Sequence, residues 1–239
     1  MFTKITLENF RSFDHIELDL TEKGNTAKHL AILYGENGAG KSNLMSAFVL
    51  LPELTRTMDA RAAYERILAQ GAIFQDENME KEMREHIRQR LRDMSAIIKD
   101  YQMADCENPI IAEYEFNIDG NNGCYRVEFG QDEILHERLE YVLNRRRGLY
   151  FDCSATGINI NDSIIEKEQG KEFLADVKEM AKRYWGKHSL LAILIYEMKD
   201  KSNSFGRDNI TENFNAVLNE FRNLSCTVSM GDKSWEGLY

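Results

Sequence analysis

Proline is almost missing from this chain, with only Pro52 and Pro109 in 239 residues. No Pro/Gly/Ser-rich linker, low-complexity tract or internal repeat accompanies them, so boundaries have to be read from changes in hydrophobic period. Cysteine is sparse too. Cys106, Cys124, Cys153 and Cys226 are far apart and none forms a C-x-x-C pair, which argues against a zinc site and for reduced thiols. The five histidines are scattered, without ligand spacing. No stretch approaches the roughly 18 uncharged apolar residues of a membrane span. The amino end opens on a strand-like pattern rather than a signal peptide, so a cytoplasmic location is expected. Positive charge is in deficit: 30 Lys and Arg face 40 Asp and Glu, for a formal net charge of -10. That excludes a generally basic nucleic-acid sheath and leaves room only for a local patch. Arg145-Arg146-Arg147, beside Gly148, is the one run of three basic residues. It reads as a solvated turn between strands, with a DNA-backbone contact as the lesser reading.

Apolar residues make up 43% of the chain, enough for a substantial core. Ile5 and Leu7, then Ile16, Leu18 and Leu20, alternate with polar residues and predict two strands within residues 2–20, joined through Asn9–Asp14. Thr21 to Lys28 is polar and carries a Gly24-Asn25 turn signal. Residues 54–103 read mostly as helix. Met79, Met83, Ile87, Leu91, Met94, Ile97, Ile98 and Tyr101 fall on one stripe amid mixed charges. An ordinary amphipathic helix fits best, and a surface helix for a partner or DNA is the alternative. Pro109 marks a switch to β structure. Tyr114, Phe116 and Ile118, a turn at residues 119–123, then Tyr125, Val127 and Phe129 predict a hairpin. A strand over residues 134–142 and a second hairpin over 149–160 complete an antiparallel meander. The tail returns to helix, with stripes through Phe173–Tyr184 and Ile210–Phe221. Leu190 to Met198 is apolar nearly all round, as in a buried helix.

The most informative stretch is Gly35-Glu36-Asn37-Gly38-Ala39-Gly40-Lys41-Ser42, which reads G-x-x-x-x-G-K-[ST]. Glycines admit backbone conformations that a Cβ forbids, so successive amides can turn inward and form a concave anion site. A helix that starts directly afterwards adds its free N–H groups and its dipole. In such a loop Lys41 reaches the β- and γ-phosphates and the Ser42 hydroxyl ligates Mg²⁺. The context agrees. Leu30-Ala31-Ile32-Leu33-Tyr34 predicts a buried strand before the loop, and Asn43–Leu51 predicts a helix after it.

Together, Ile5-Thr6-Leu7-Glu8-Asn9-Phe10-Arg11-Ser12-Phe13 and Leu33-Tyr34-Gly35-Glu36-Asn37-Gly38-Ala39-Gly40-Lys41-Ser42-Asn43-Leu44 resemble the amino end of ABC-type ATPase heads. These are the SMC and RecF proteins and the OLD-like ATPases of bacterial defence. The resemblance covers roughly the first 50 residues, and topology alone extends it. It implies an α/β (α+β) P-loop NTPase with an antiparallel β-meander and helical insertions. It also implies ATP and Mg²⁺ as cofactors, held by Arg11, Asn37, Gly38, Ala39, Gly40, Lys41, Ser42 and Asn43, with Ser42 on the metal. A glutamine usually helps hold Mg²⁺ in such heads, and Gln70 and Gln131 are both candidates. The signature motif, the Asp-Glu strand and the switch histidine of the family are not found. Leu190–Glu197 imitates the Asp-Glu strand only superficially, since Tyr196 stands where an Asp is needed.

The expected organisation is the amino-terminal part of one ATPase head: strands and phosphate loop over 1–53, a helical segment over 54–108, the meander over 109–162 and a second helical segment over 163–239. Implied partners are ATP, a second head in a homodimer or larger oligomer, an effector nuclease or toxin, and DNA. A non-hydrolysing interaction module is the alternative. A P-loop kinase is disfavoured because its parallel sheet does not accommodate the hairpins.

Overall fold

A computed structural model describes residues 1–22, 26–59, 61–63, 92–143, 145–168, 170–200, 209–224, 228–230 and 233–235. Its centre is a seven-stranded sheet in the order β2-β1-β3-β4-β5-β6-β7, antiparallel throughout. The strands are β1 (Phe2–Phe10), β2 (Phe13–Asp19), β3 (Ile110–Ile118), β4 (Asn121–Phe129), β5 (Ile134–Leu143), β6 (Arg146–Ser154) and β7 (Gly157–Ile160). Five α-helices that lie wholly within the described residues accompany them: α1 (Lys41–Leu54), α2 (Met94–Tyr101), α3 (Gly170–Tyr184), α4 (Leu190–Asp200) and α5 (Glu212–Arg222). Helices packed against this sheet fit the α/β (α+β) class. A short hairpin, β8 (Val228–Met230) with β9 (Lys233–Trp235), stands in the stretch expected to be helical.

The period-two alternation sorts the sheet into two faces. Ile5, Leu7, Tyr114, Phe116, Tyr125, Val127, Leu139 and Phe151 are fully buried on the inner face. The outer face carries Glu113, Arg126, Glu128, His136, Arg138, Glu140 and Asp152 in a ladder of ion pairs. Arg147, from the basic run, joins this ladder through Glu140 at 2.8 Å. Such half-exposed pairs contribute little each, and the face reads as solvated. The β3–β4 turn is tight. Asp119 and Gly120, at φ 51° and 79°, are the two positive-φ residues that a hairpin connection with the right twist requires.

Helices α1 and α5 cover the inner face. The Tyr114 hydroxyl donates 2.6 Å to the Ala47 carbonyl in the middle of α1. From α5, Phe221 lies 5.4 Å from the Tyr125 ring, 5.5 Å from Phe116 and 6.2 Å from Phe2, while Phe214 stacks on Tyr150 at 5.2 Å. Such aromatic burial is the main adhesive between the layers.

Helix α4 is fastened to the sheet by a buried carboxylate. Glu137 of β5 is fully buried and accepts from the Leu190 amide at 2.7 Å, the Trp185 indole at 3.0 Å and the Tyr125 hydroxyl at 3.0 Å. An acidic group at a helix amino end is electrostatically favourable. Burial nevertheless dominates and pushes the Glu137 pKa up to about 7, against an ordinary 4.5. Because Leu190–Asp200 is helical, it is not an Asp-Glu strand, and Glu197 is buried within it.

The strand expected before the loop does not form. Residues 29–34 carry no regular structure, pair with no strand and make no backbone–backbone hydrogen bond among the described residues. Leu30, Ile32 and Tyr34 are 75%, 61% and 87% exposed. A strand is buried only when neighbouring strands flank it, and the sheet ends at β2 on one side and β7 on the other. The apolar run records the need for burial but cannot supply the neighbours.

Of the long stripe expected to end at Tyr101, the described part is α2. Met94, Ile97, Ile98 and Tyr101 are all buried there, and Asp93 caps its first turn by accepting from the Ala96 amide. Met79, Met83, Ile87 and Leu91 lie outside the described residues, as does Gln70.

Candidate phosphate-binding site

The loop of residues 35–40 meets α1 at Gly40, which sits in the left-handed region at φ 83° and leads straight into the helix at Lys41. Gly38 has φ 87°. Both conformations are strained for residues with a Cβ. At Gly40 a Cβ would also lie 2.7 Å from the Phe13 ring. No side chain caps the amino end of α1 and no acid stands in its first turn. Its leading amides are therefore free to meet an anion, with the positive end of the helix dipole behind them.

Lys41 folds back across this loop. Its ammonium donates to the carbonyls of Gly35 at 2.7 Å and Glu36 at 2.6 Å. The charge is thereby held at the loop mouth, and among the described residues no carboxylate pairs with it. Ser42 is exposed, and among the described residues its hydroxyl has no hydrogen-bond partner. Asn37, Gly38 and Ala39 form the exposed crest. Asn43 turns the other way: its amide donates 2.8 Å to the Ser12 hydroxyl, and its carbonyl lies 3.5 Å from an Arg11 nitrogen. It ties α1 to the β1–β2 turn, and only its backbone amide belongs to the helix amino end.

That turn explains the N-F-R-S-F spelling residue by residue. Phe10 is core, Ser12 holds Asn43, and Phe13 packs on Gly40. Arg11 lines the same cleft as Lys41 and Ser42, a cavity of about 980 Å³. That volume is at the upper end for small-ligand sites. Its far side is apolar and includes Leu18, Ile32, Leu33, Phe48 and Val49.

Three cleft residues carry no motif. Glu53 near the end of α1, Arg92 before α2 and Tyr101 at the end of α2 form one network. Tyr101 donates 2.8 Å to Glu53, and Arg92 bonds Glu53 at 2.5 Å and Asp100 at 2.6 Å. Burial raises the Glu53 pKa above the usual carboxylate range, against the pull of Arg92, and raises that of Tyr101 further. Sequence periodicity could mark Tyr101 only as a core position and Arg92 only as part of a charged face. Their meeting depends on α2 crossing the end of β1, which no local signal encodes.

Gln131 lies in the β4–β5 turn and does not line the cleft. Among the described residues no group of three or more His, Cys, Asp or Glu could hold a metal ion. Ser42 presents an exposed hydroxyl at the start of α1, and a divalent cation there would depend on phosphate oxygens for most of its ligands. The donor set fits a magnesium-bound polyphosphate better than a bare cation.

The family model of the AAA ATPase domain matches residues 1–228. The chain belongs to that family. No curated protein matches the sequence. As an AAA ATPase domain it is a nucleotide-binding protein whose family ligand is ATP, and an ABC-type head of SMC, RecF or OLD kind is compatible with the match. No helix among the described residues of this AAA ATPase domain is long and apolar enough to cross a membrane.

Proposed function

We propose that residues 35–42 hold the triphosphate of Mg²⁺-ATP and that the chain is the amino-terminal part of an ABC-type head. In this reading it closes on a second head across the nucleotide and passes that closure to a nuclease or toxin partner, in DNA repair or phage defence. The observation that carries it is the uncapped start of α1, with Lys41 bridging the Gly35 and Glu36 carbonyls over it. The amides of the first turn bind phosphate oxygens. Lys41 leaves its two carbonyls for the β- and γ-phosphates, Ser42 ligates the metal, and Arg11 adds a second cation from the cleft wall. Bound Mg²⁺ would neutralise phosphate charge and order the tail. Dimer closure follows from mass action, because contacts to the γ-phosphate from a second head exist only in the closed state.

A second reading is a non-hydrolysing module with a structural nucleotide. Two carboxylates of the cleft bear on it. Glu53 and Glu220 line the cleft, but Glu53 is held by Arg92 and Tyr101, and Glu220 pairs with the Met1 ammonium at 2.9 Å. Neither of these two carboxylates is therefore free to polarise water in the cleft.

Titration with a fluorescent ATP analogue, with and without Mg²⁺, tests the proposal. Lys41→Ala removes a charge-assisted donor worth about 1.5–3 kcal/mol, so the affinity should fall roughly 10- to 100-fold. At a hundred-fold excess over Kd, ATP should stabilise the fold by about 2.7 kcal/mol, which is ~5–10 °C in Tm for a chain of this size. Equal affinity in wild type and Lys41→Ala refutes the phosphate site. A nucleotide that survives purification, does not exchange and ignores Mg²⁺ selects the structural reading.

A further inference from the structure

We propose that Tyr101 is the positioning residue that holds Arg11 against the phosphate site, and that Glu53 and Arg92 lock Tyr101 in place. The inference rests on the phosphate reading of residues 35–42 and names what readies the second cation of that site.

Two arginines stand near the Tyr101 ring and are treated differently. Arg92, 5.9 Å from the ring centroid, is neutralised by Glu53 at 2.5 Å and Asp100 at 2.6 Å. Arg11 lies closer, 5.0 Å above the ring, and among the described residues no carboxylate pairs with it. Among the described residues its buried Nε has no partner, and its one side-chain bond is the long 3.5 Å contact to Asn43. A guanidinium over a phenol face is attracted by the ring yet keeps its net charge. The cleft thus holds one compensated arginine and one uncompensated one, and the uncompensated one shares a wall with Lys41 and Ser42.

The backbone is bent to put it there. Asn9 and Arg11 have φ 52° and 53°, in the left-handed region that disfavours side chains. That geometry is held from α2. The Arg11 amide donates 2.8 Å to the Tyr101 carbonyl, and the Asn9 side chain donates 2.8 Å to the Pro109 carbonyl. One residue therefore fixes Arg11 twice, through its carbonyl and through its ring.

Tyr101 in turn has little freedom. It is 2% exposed, stacks on Phe10 at 5.1 Å and donates 2.8 Å to Glu53. Glu53 belongs to the last turns of α1, the helix whose first turn carries Lys41, Ser42 and Asn43. One rigid helix sets both the phosphate amides and, by way of Glu53 and Tyr101, the second cation. The spacing between the two is fixed before any ligand arrives, which is preorganisation in the physical sense.

The test is a double-mutant cycle read by binding of a fluorescent ATP analogue to the 239-residue chain, with Tm recorded for each variant. Arg11→Ala should weaken binding about ten-fold, as loss of one charge-assisted contact does. Tyr101→Leu should weaken it by the same factor. The double variant should be no worse than Arg11→Ala alone, because the ring acts only through the guanidinium. Tyr101→Phe keeps the platform and the stack on Phe10, so it should recover most of the affinity and lose about two- to three-fold from the missing bond to Glu53. Should Tyr101→Leu not fold, Tyr101→Met replaces it, since a flexible apolar chain fills the space without offering a π face. Multiplicative losses in the double variant overturn the proposal. So does a Leu or Met variant that binds like wild type while Arg11→Ala does not. Lys41→Ala runs alongside. If it leaves binding unchanged, the phosphate site itself fails, whereas loss with Lys41→Ala but not with Tyr101→Leu sinks the positioning role alone.

Discussion

Replacing Glu137 with glutamine should make the protein more stable at pH 8 and leave it nearly unchanged at pH 4. The carboxyl group is fully buried and burial raises its pKa to about 7, from an ordinary 4.5. A carboxyl group raised on folding contributes stability that is complete below its unfolded pKa and is lost as pH rises through its folded pKa. At about 1.4 kcal/mol per tenfold change, ionisation of Glu137 in the folded state costs roughly 3 kcal/mol between about pH 4.5 and pH 8. Glutamine can keep the same bonds. One of its terminal atoms, as oxygen, takes the Leu190 amide and the Trp185 indole, which both bond Oε2 of Glu137. The other, as the amide nitrogen, donates to the Tyr125 hydroxyl, as the protonated acid does. Glu137→Gln thus imitates the acid form at every pH. Urea unfolding of both proteins from pH 4 to pH 8 isolates the effect, because all other titrating groups are common to the pair. The stability difference should open from near zero to about 3 kcal/mol, or ~6–12 °C in Tm. Parallel profiles, or a variant less stable at pH 8, would show that the three donors and the helix amino end outweigh burial.

Other substitutions probe the loop, the core and the exposed run. Gly40→Ala sets a Cβ at a φ of 83° and 2.7 Å from the Phe13 ring, so it should cost about 1–2 kcal/mol in thermal unfolding and weaken nucleotide titration more than that loss implies. Phe221→Ala empties the space where the rings of Phe2, Phe116 and Tyr125 converge, and urea denaturation should show about 3–5 kcal/mol lost. Ile32→Asp alters a side chain that is 61% exposed, so stability should stay within about 0.5 kcal/mol while self-association in sedimentation velocity declines. A larger stability loss would mean that Ile32 is packed.

Much of the sheet was legible because its alternation is strict. Tyr114, Phe116, Tyr125 and Val127 point inward, and Glu113, Arg126 and Glu128 point outward, as period two demands. Helices α3 and α5 announced themselves by apolar stripes, and α4 by an all-apolar run whose burial the structure bears out. The turn into α1 was legible as a spelling, since the positive φ that Gly38 and Gly40 adopt is a local property. Failures came where the outcome depends on a distant neighbour. Leu30–Tyr34 has the composition of a buried strand, yet no strand lies beside it. Asn43 belongs to the motif by position, but its side chain serves the hairpin turn. Glu53, Arg92 and Tyr101 sit 39 and 48 residues apart from one another across their bonds, beyond the reach of any periodicity.

The mooring of the loop to the hairpin has a mechanical result. Gly40 is backed by Phe13, and Asn43 is bonded to Ser12, so the turn after β1 and the start of α1 travel together. β1 is no loose flap: β2 is laced to one of its edges and β3 to the other. A pull on the loop is therefore passed to β1 and, through the hydrogen bonds on both its edges, to β2 and β3. Whatever grips residues 35–42 loads that end of the sheet first, with the far edge at β7 five strands beyond β1.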